Sequence, residues 1–77
     1  MTRDEWKNVF GDNLDAILQD KRMSQNELAK LSGLSPGMIS DYVNKFTAPS
    51  LFAVINIAYV LDVDIDELVD VSDRIEN

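Results

Sequence analysis

The stretch SQNELAKLSGLSPGMISDYVNK, residues 24–45, predicts two short helices joined by a tight turn. Ser24, with Glu27 three residues later, has the pattern of a capping box that begins the first helix. Gly33 suits the left-handed conformation that ends a helix. Ser35 and the proline after it then supply a capping hydroxyl and a first helical residue that needs no N–H. Each helix therefore has its own start signal, and a glycine separates the two.

The apolar residues of this stretch predict which side of each helix is buried. The first helix has the apolar set Leu28, Ala29 and Leu31, and the second has Ile39, Tyr42 and Val43. The other side of the second helix carries small and polar residues, namely Gly37, Ser40, Asp41 and Asn44. A stiff helix that is braced by a neighbour and presents such a side fits the major groove of DNA, which is the geometry of a helix-turn-helix.

Capping residues and helical spacing predict a long helix before this pair. It covers about residues 3–20 and begins with a capping box at Thr2 and Glu5. Its apolar residues at helical spacing are Trp6, Phe10, Leu14, Ile17 and Leu18. Gly11 lies inside this helix, where it either allows close packing or marks a point of fraying.

Two more helices are predicted after the pair. Beyond a loop at residues 45–49, Pro49 and Ser50 introduce a helix over about residues 51–61. Its predicted core stripe is Leu51, Val54, Ile55, Ala58 and Leu61. Asp64, with Glu67 three residues later, begins a short fifth helix. The expected fold is all-α, a compact five-helix bundle over residues 1–70 with an acidic tail at 71–77.

Composition excludes several classes of function. The 77 residues include no cysteine and no histidine, so thiolate metal sites and histidine general-base chemistry are not expected. The acidic clusters near the C-terminus lack the spacing and the glycine of an EF-hand calcium loop. We therefore expect no enzyme, catalytic residue, metal site, cofactor or small-molecule substrate. No apolar run approaches the roughly 20 residues of a membrane span, and the lack of cysteine fits the cytoplasm.

The net charge of −7 counts against nucleic acid until its distribution is considered. Residues 1–20 carry −3 and residues 51–77 carry −6, whereas residues 21–50 carry +2. The basic residues of this middle third are Lys21, Arg22, Lys30 and Lys45. The positive third of the chain is thus the third that contains the helix pair.

Four segments, in order and at matching spacing, carry a resemblance to a known family. They are FGDNL at 10–14, SQNELAKLSGLS at 24–35, MISDYVN at 38–44 and APSLFAVINIAYVLDVDIDELV at 48–69. In these segments the chain resembles the phage repressor/Cro-type helix-turn-helix family, also called lambda-repressor-like. The resemblance implies a sequence-specific regulator of the repressor type that binds double-stranded operator DNA, usually as a homodimer.

The resemblance also implies which residues contact DNA. Gln25 matches the glutamine that bonds a phosphate and braces a side chain of the reading helix, and Asn44 matches a phosphate-contacting asparagine. Thr47 lies in the loop that touches the backbone or a base edge. Pro36, Gly37, Ser40 and Asp41 occupy positions that face base edges. The expected DNA-binding set is Gln25, Ser35, Pro36, Gly37, Ser40, Asp41, Asn44, Lys45 and Thr47.

Two departures from the family's pattern change what is expected of the reading helix. Pro36 and Gly37 stand where some relatives have paired glutamines, and neither side chain can donate a hydrogen bond to a base. Lys45 stands where the family often has glycine, so we expect the helix to end differently and Lys45 to contact a phosphate. Asp41 either accepts a hydrogen bond from cytosine N4 or forms an ion pair with Lys45.

The fourth helix and the residues just after it include large apolar side chains beyond the core stripe, and these predict a partner. Phe52, Tyr59, Val60 and Val63 are expected at a homodimer interface, since exposed apolar area marks a contact.

A function from another class stays open as the alternative to DNA binding. A protein-interaction module on the same scaffold, such as an antitoxin or antirepressor subunit with little DNA binding of its own, fits the net charge of −7 and the missing glutamines.

Overall fold

The computed structural model describes residues 1–71, which form five α-helices and no strand. They are α1 (Arg3–Lys21), α2 (Gln25–Ser32), α3 (Pro36–Val43), α4 (Leu51–Leu61) and α5 (Ile65–Val69). The predicted all-α bundle of five helices is confirmed, as are the predicted bounds of α4. Residues 72–77 of the predicted acidic tail lie outside the described part of the chain.

The helices begin where the sequence places their caps. The Ser24 hydroxyl accepts a hydrogen bond from the Glu27 N–H at 3.0 Å, and the Glu27 carboxylate accepts one from the Ser24 N–H at 3.4 Å. Thr2 and Glu5 make the same pair of bonds at the start of α1. Hydrogen bonds from Thr2 hold the pKa of Glu5 below its ordinary 4.5. The bond from the Thr2 backbone has the larger effect, and the bond from the Thr2 side chain has the smaller one.

The C-terminal ends of α1, α3 and α4 share one geometry within residues 1–71. A residue that is not glycine takes the left-handed conformation after each helix: Arg22 at φ 55°, Lys45 at φ 66° and Asp62 at φ 55°. The next N–H donates to the carbonyl five residues earlier, as when Phe46 donates to Asp41 at 2.8 Å. The expectation that α3 ends differently for want of a glycine is therefore wrong, because Lys45 adopts the conformation that glycine would take.

The core lies where the five helices meet. α1 packs against α3 and α5, while α2 packs against α3 and α4, and α4 packs against α5. The largest fully buried side chains are Phe10, Leu14, Leu28, Ile39, Ile57, Leu68 and Val9. Tyr42 meets Phe10 edge to face, with ring centroids 5.7 Å apart. The third helix is thus anchored from behind by the long first helix.

The predicted core stripe of α4 is wrong at two positions. Leu51 is 74% exposed and Ile55 is 46% exposed, whereas Ala53 and Ile57 are buried in their place. Leu31, which belongs to the apolar set of α2, is exposed as well. The prediction for α4 is wrong because this helix is apolar on nearly every side. Helical spacing alone therefore does not decide which side of α4 faces the bundle.

Gly11 allows close packing, which decides between the two explanations offered by the sequence. A Cβ atom at this position would lie 2.6 Å from the Tyr42 carbonyl oxygen and 2.8 Å from Cγ of Lys45. Only a residue without a side chain lets α1 approach the last turn of α3 this closely.

Among the described helices, none combines the length and hydropathy that a bilayer crossing requires.

Candidate nucleic-acid interface

α3 presents one side to the core and the other to solvent. Ile39 and Tyr42 are buried, and they hold the helix against α1 and α2. On the opposite side Asp41 and Asn44 are exposed, and Ser40 is half-buried. The structure therefore places the predicted reading side of α3 outward, with no other part of residues 1–71 covering it.

Two of the predicted site residues are joined by a hydrogen bond. The Asn44 side-chain amide donates to the Ser40 hydroxyl at 3.1 Å, and the Asn44 backbone N–H donates to the Ser40 carbonyl at 2.9 Å. The amide is therefore held in one orientation at the C-terminal end of α3. It keeps one N–H to donate to an acceptor outside the protein, and the Ser40 hydroxyl keeps its own proton.

The N-terminal end of α3 contributes little side-chain chemistry. The Ser35 hydroxyl caps the helix, since it accepts a hydrogen bond from the Met38 N–H at 3.1 Å, and it keeps its own proton to donate. Pro36 and Gly37 are exposed, as predicted, and carry no polar side-chain atom. Gln25 stands at the first position of α2 and is half-buried. Its amide has no hydrogen-bond partner within residues 1–71, so it is available to a ligand.

Comparison with known families identifies this arrangement. A family model described as "Helix-turn-helix", of the Cro/C1 type, matches residues 14–68, which is more than half of the chain. The chain belongs to the Cro/C1-type helix-turn-helix family. This is a family of DNA-binding regulators and is not typically enzymatic. A search of curated proteins found no match.

Within this helix-turn-helix domain, Lys45 does not pair with Asp41. Its ammonium lies 2.6 Å from the Asp12 carboxylate of α1, so the Asp41–Lys45 pair, one of the two alternatives offered for Asp41, is not formed. The left-handed backbone of Lys45 turns its side chain back over Gly11, away from the exposed side of α3. The Asp41 carboxylate has no ion-pair partner in the described residues.

Tyr42 is the ionisable side chain closest to the core of this site. Burial raises the pKa of its phenol above the ordinary 10.0, and the neighbouring Asp41 carboxylate raises it further. The phenol is therefore neutral at the pH values at which the domain would meet DNA. It serves packing, since its ring contacts Phe10.

Phe46 is a surface residue of the site that the sequence analysis missed. Its side chain is 71% exposed, next to Thr47, which is also exposed. The equivalent residues after α1 and α4 are Met23 and Val63, and both pack against the core. The sequence signal available was the position of Phe46, three residues after the end of α3, where an apolar residue normally packs back on its helix.

The domain also carries an exposed apolar surface on α4. Tyr59 is 85% exposed and Phe52 is 68% exposed, as the predicted partner surface requires. Val60 and Val63, also expected at a homodimer interface, are half-buried against the core, and their place in an interface stays a prediction. The exposed apolar residues of α2 and α4 are Leu31, Leu51, Phe52, Ile55 and Tyr59. We call this set the α4 apolar surface.

The described residues offer no obvious site for a metal. No group of three or more carboxylate, histidine or cysteine side chains within residues 1–71 is placed to hold an ion.

The basic residues in and beside the helix pair, Lys21, Arg22 and Lys30, are all exposed. The groups at this surface that suit a ligand are therefore hydrogen-bond donors and a few cations, which fit phosphates and base edges.

Proposed function

We propose that this protein is a transcriptional regulator of the repressor type that binds specific double-stranded DNA by placing α3 in the major groove. The observation that carries the proposal is the geometry of α3. Ile39 and Tyr42 fix the helix from behind, while the joined side chains of Ser40 and Asn44 face outward. A helix held in this way presents a defined set of donors to the groove.

The site residues would divide their roles by chemistry. Gln25 and Asn44 would donate to phosphates at the two ends of the helix pair, and Ser40 would bond a base edge. Asp41 would accept a hydrogen bond from cytosine N4, the base donor that suits a carboxylate. Because Pro36 and Gly37 offer no side-chain donor, the shape and deformability of the operator would carry much of the specificity.

The test is selection of bound sequences from a random duplex pool, followed by fluorescence anisotropy on the selected duplex. We expect Asn44→Ala to weaken binding about tenfold or more, since a hydrogen bond to a charged group contributes about 1.5–3 kcal/mol. Gln19→Ala is the matched control, because it removes an exposed amide from α1. Selection that enriches no duplex, or an Asn44→Ala variant that binds like the wild type, contradicts the proposal.

We further propose that the protein binds DNA as a homodimer through the α4 apolar surface. A dimer would place two α3 helices about 34 Å apart, one turn of the duplex. Tyr59→Lys should shift the protein toward monomer in sedimentation and weaken operator binding, whereas Tyr59→Phe should retain the dimer. A wild-type protein that stays monomeric at all concentrations and on DNA would rule out this part of the proposal.

A protein-interaction module is the second candidate, favoured by the same α4 apolar surface. An antitoxin or antirepressor subunit would use this surface to hold another protein, and the net charge of −7 would keep it from DNA. The two candidates differ in one measurement. The regulator binds the selected duplex at low salt and loses that binding with Asn44→Ala, whereas the module binds no duplex at any salt.

A further inference from the structure

We infer that Asp12 is a positioning residue that opposes DNA binding by holding Lys45 on α1 until a phosphate takes the lysine's ammonium. The inference rests on the proposed function. It assigns to α1, outside the helix pair, a direct influence on the affinity and salt dependence of the complex. Lys45 is the only basic residue between Pro36 and Ser50, so its state decides the charge of α3 and the loop after it.

The first observation is the ion pair itself. The Lys45 ammonium and the Asp12 carboxylate are 2.6 Å apart, and their side chains are 40% and 46% exposed. A pair this open to solvent is only weakly stabilising, because water competes for both charges. A DNA phosphate that reaches Lys45 can therefore replace the carboxylate as its partner.

The second observation is that α1 is shaped to receive the lysine. The stem of Lys45 passes directly over Gly11, where a Cβ atom would lie 2.8 Å from its Cγ. Any larger residue at this position would displace the stem and with it the ammonium. Gly11 and Asp12 together thus provide the space and the charge that hold Lys45 back on α1.

The third observation is the place of Lys45 in the chain. It directly follows Asn44, the residue proposed to contact a phosphate, and its side chain has a flexible four-carbon stem. The ammonium can therefore move from α1 toward the DNA backbone while the end of α3 stays fixed. In the free protein, the uncompensated charge left at this end of α3 is the Asp41 carboxylate.

The consequence is an exchange of partners on binding. The complex gains a Lys45–phosphate contact and releases a counterion, but it loses the Asp12–Lys45 pair. In a variant that has the isosteric asparagine in place of Asp12, no ion pair is lost on binding, while the Lys45–phosphate contact is still gained. We therefore expect Asp12→Asn to bind DNA more tightly than the wild type, by up to about fivefold per subunit, the upper end of the range for exposed ion pairs.

The experiment is anisotropy on the selected duplex as a function of salt, with three single variants and two double variants. Asp20→Asn is the matched control, since it removes the same charge from an exposed position of α1 outside the ion pair. Lys45→Met should weaken binding and make the salt slope shallower by about 0.9 per subunit. Asp12→Asn in the Lys45→Met background should bind no more tightly than Asp20→Asn in that background.

The outcomes separate this inference from the proposed function. Tightening by Asp12→Asn beyond that by Asp20→Asn, abolished when Lys45 is methionine, supports the exchange. Equal effects of Asp12→Asn and Asp20→Asn overturn it while leaving DNA binding intact. Weaker binding by Asp12→Asn with an unchanged salt slope also overturns it and assigns the pair a purely structural role. A wild-type protein that binds neither the selected nor a random duplex overturns the proposed function and this inference together.

Discussion

Single residues decide how α3 is presented, and Gly11 is the clearest case. Its place inside a helix is unfavourable by about 1 kcal/mol relative to alanine, so local propensity alone favours its replacement. The tertiary contact reverses that preference, since the Tyr42 carbonyl oxygen occupies the space that a Cβ atom would need. The sequence showed the anomaly, but only the approach of α3 to α1 explains it.

Gly11→Ala should lower the free energy of unfolding by about 1–3 kcal/mol, because the added methyl overpacks the contact with Tyr42 and Val43. Urea denaturation followed by circular dichroism measures it. Gly37→Ala is the control, since the nearest atom to its added Cβ is the Ser35 hydroxyl at 3.9 Å. A Gly11→Ala variant as stable as the wild type would show that α1 and α3 do not meet this closely.

Tyr42 gives the domain an alkaline limit. Burial raises the pKa of its phenol in the folded state, so the fold binds this proton more tightly than the unfolded chain does. The resulting stability is fully present below the ordinary pKa of 10.0 and is lost as the pH rises through the raised value. Above about pH 10, we expect the free energy of unfolding of Tyr42→Phe to fall less with pH than that of the wild type, as measured by chemical denaturation.

At the scale of helices, the sequence predicts where a helix begins better than it predicts which side of the helix is buried. The starts of α2 and α3 follow from Ser24 and Ser35, because a cap needs only residues three positions apart. The buried side of α4 does not follow from its sequence, since LFAVINIAYVL has a single polar side chain, Asn56, to orient it. That asparagine points inward to donate to the Ser32 carbonyl at 2.8 Å, so even the polar residue serves packing.

Asn13 joins α1 to the end of α5. Its amide donates to the Leu68 carbonyl at 2.9 Å and to the Asp70 carbonyl at 3.0 Å. Asn13→Ala should lower the melting temperature and speed hydrogen exchange in α5, with a loss of about 1–3 kcal/mol as both carbonyls lose their donor. Asn26→Ala, at an exposed position of α2, is the control and should melt like the wild type. Unchanged exchange in α5 would argue against this link.

For the whole molecule, the charge distribution limits non-specific binding. The helix pair and its flanks carry four basic residues, Lys21, Arg22, Lys30 and Lys45, within a chain of net charge −7. On a random duplex, the slope of log affinity against log salt should be no steeper than about −3.6 per subunit, at about −0.9 for each cation that neutralises a phosphate. Anisotropy between low and moderate salt measures the slope. Tight, steeply salt-dependent binding to random DNA would contradict this expectation.

The sequence by itself determined the number of helices, their starts and the family, because caps, turns and helical spacing act over a few neighbouring residues. The outward placement of Ser40 and Asn44 follows from the same spacing. Only the tertiary structure decided the exposed side of α4, the purpose of Gly11 and the partner of Lys45. These depend on residues distant in the chain that come together when α1 packs against α3 and α2 against α4, and no local pattern records which distant side chain will be there.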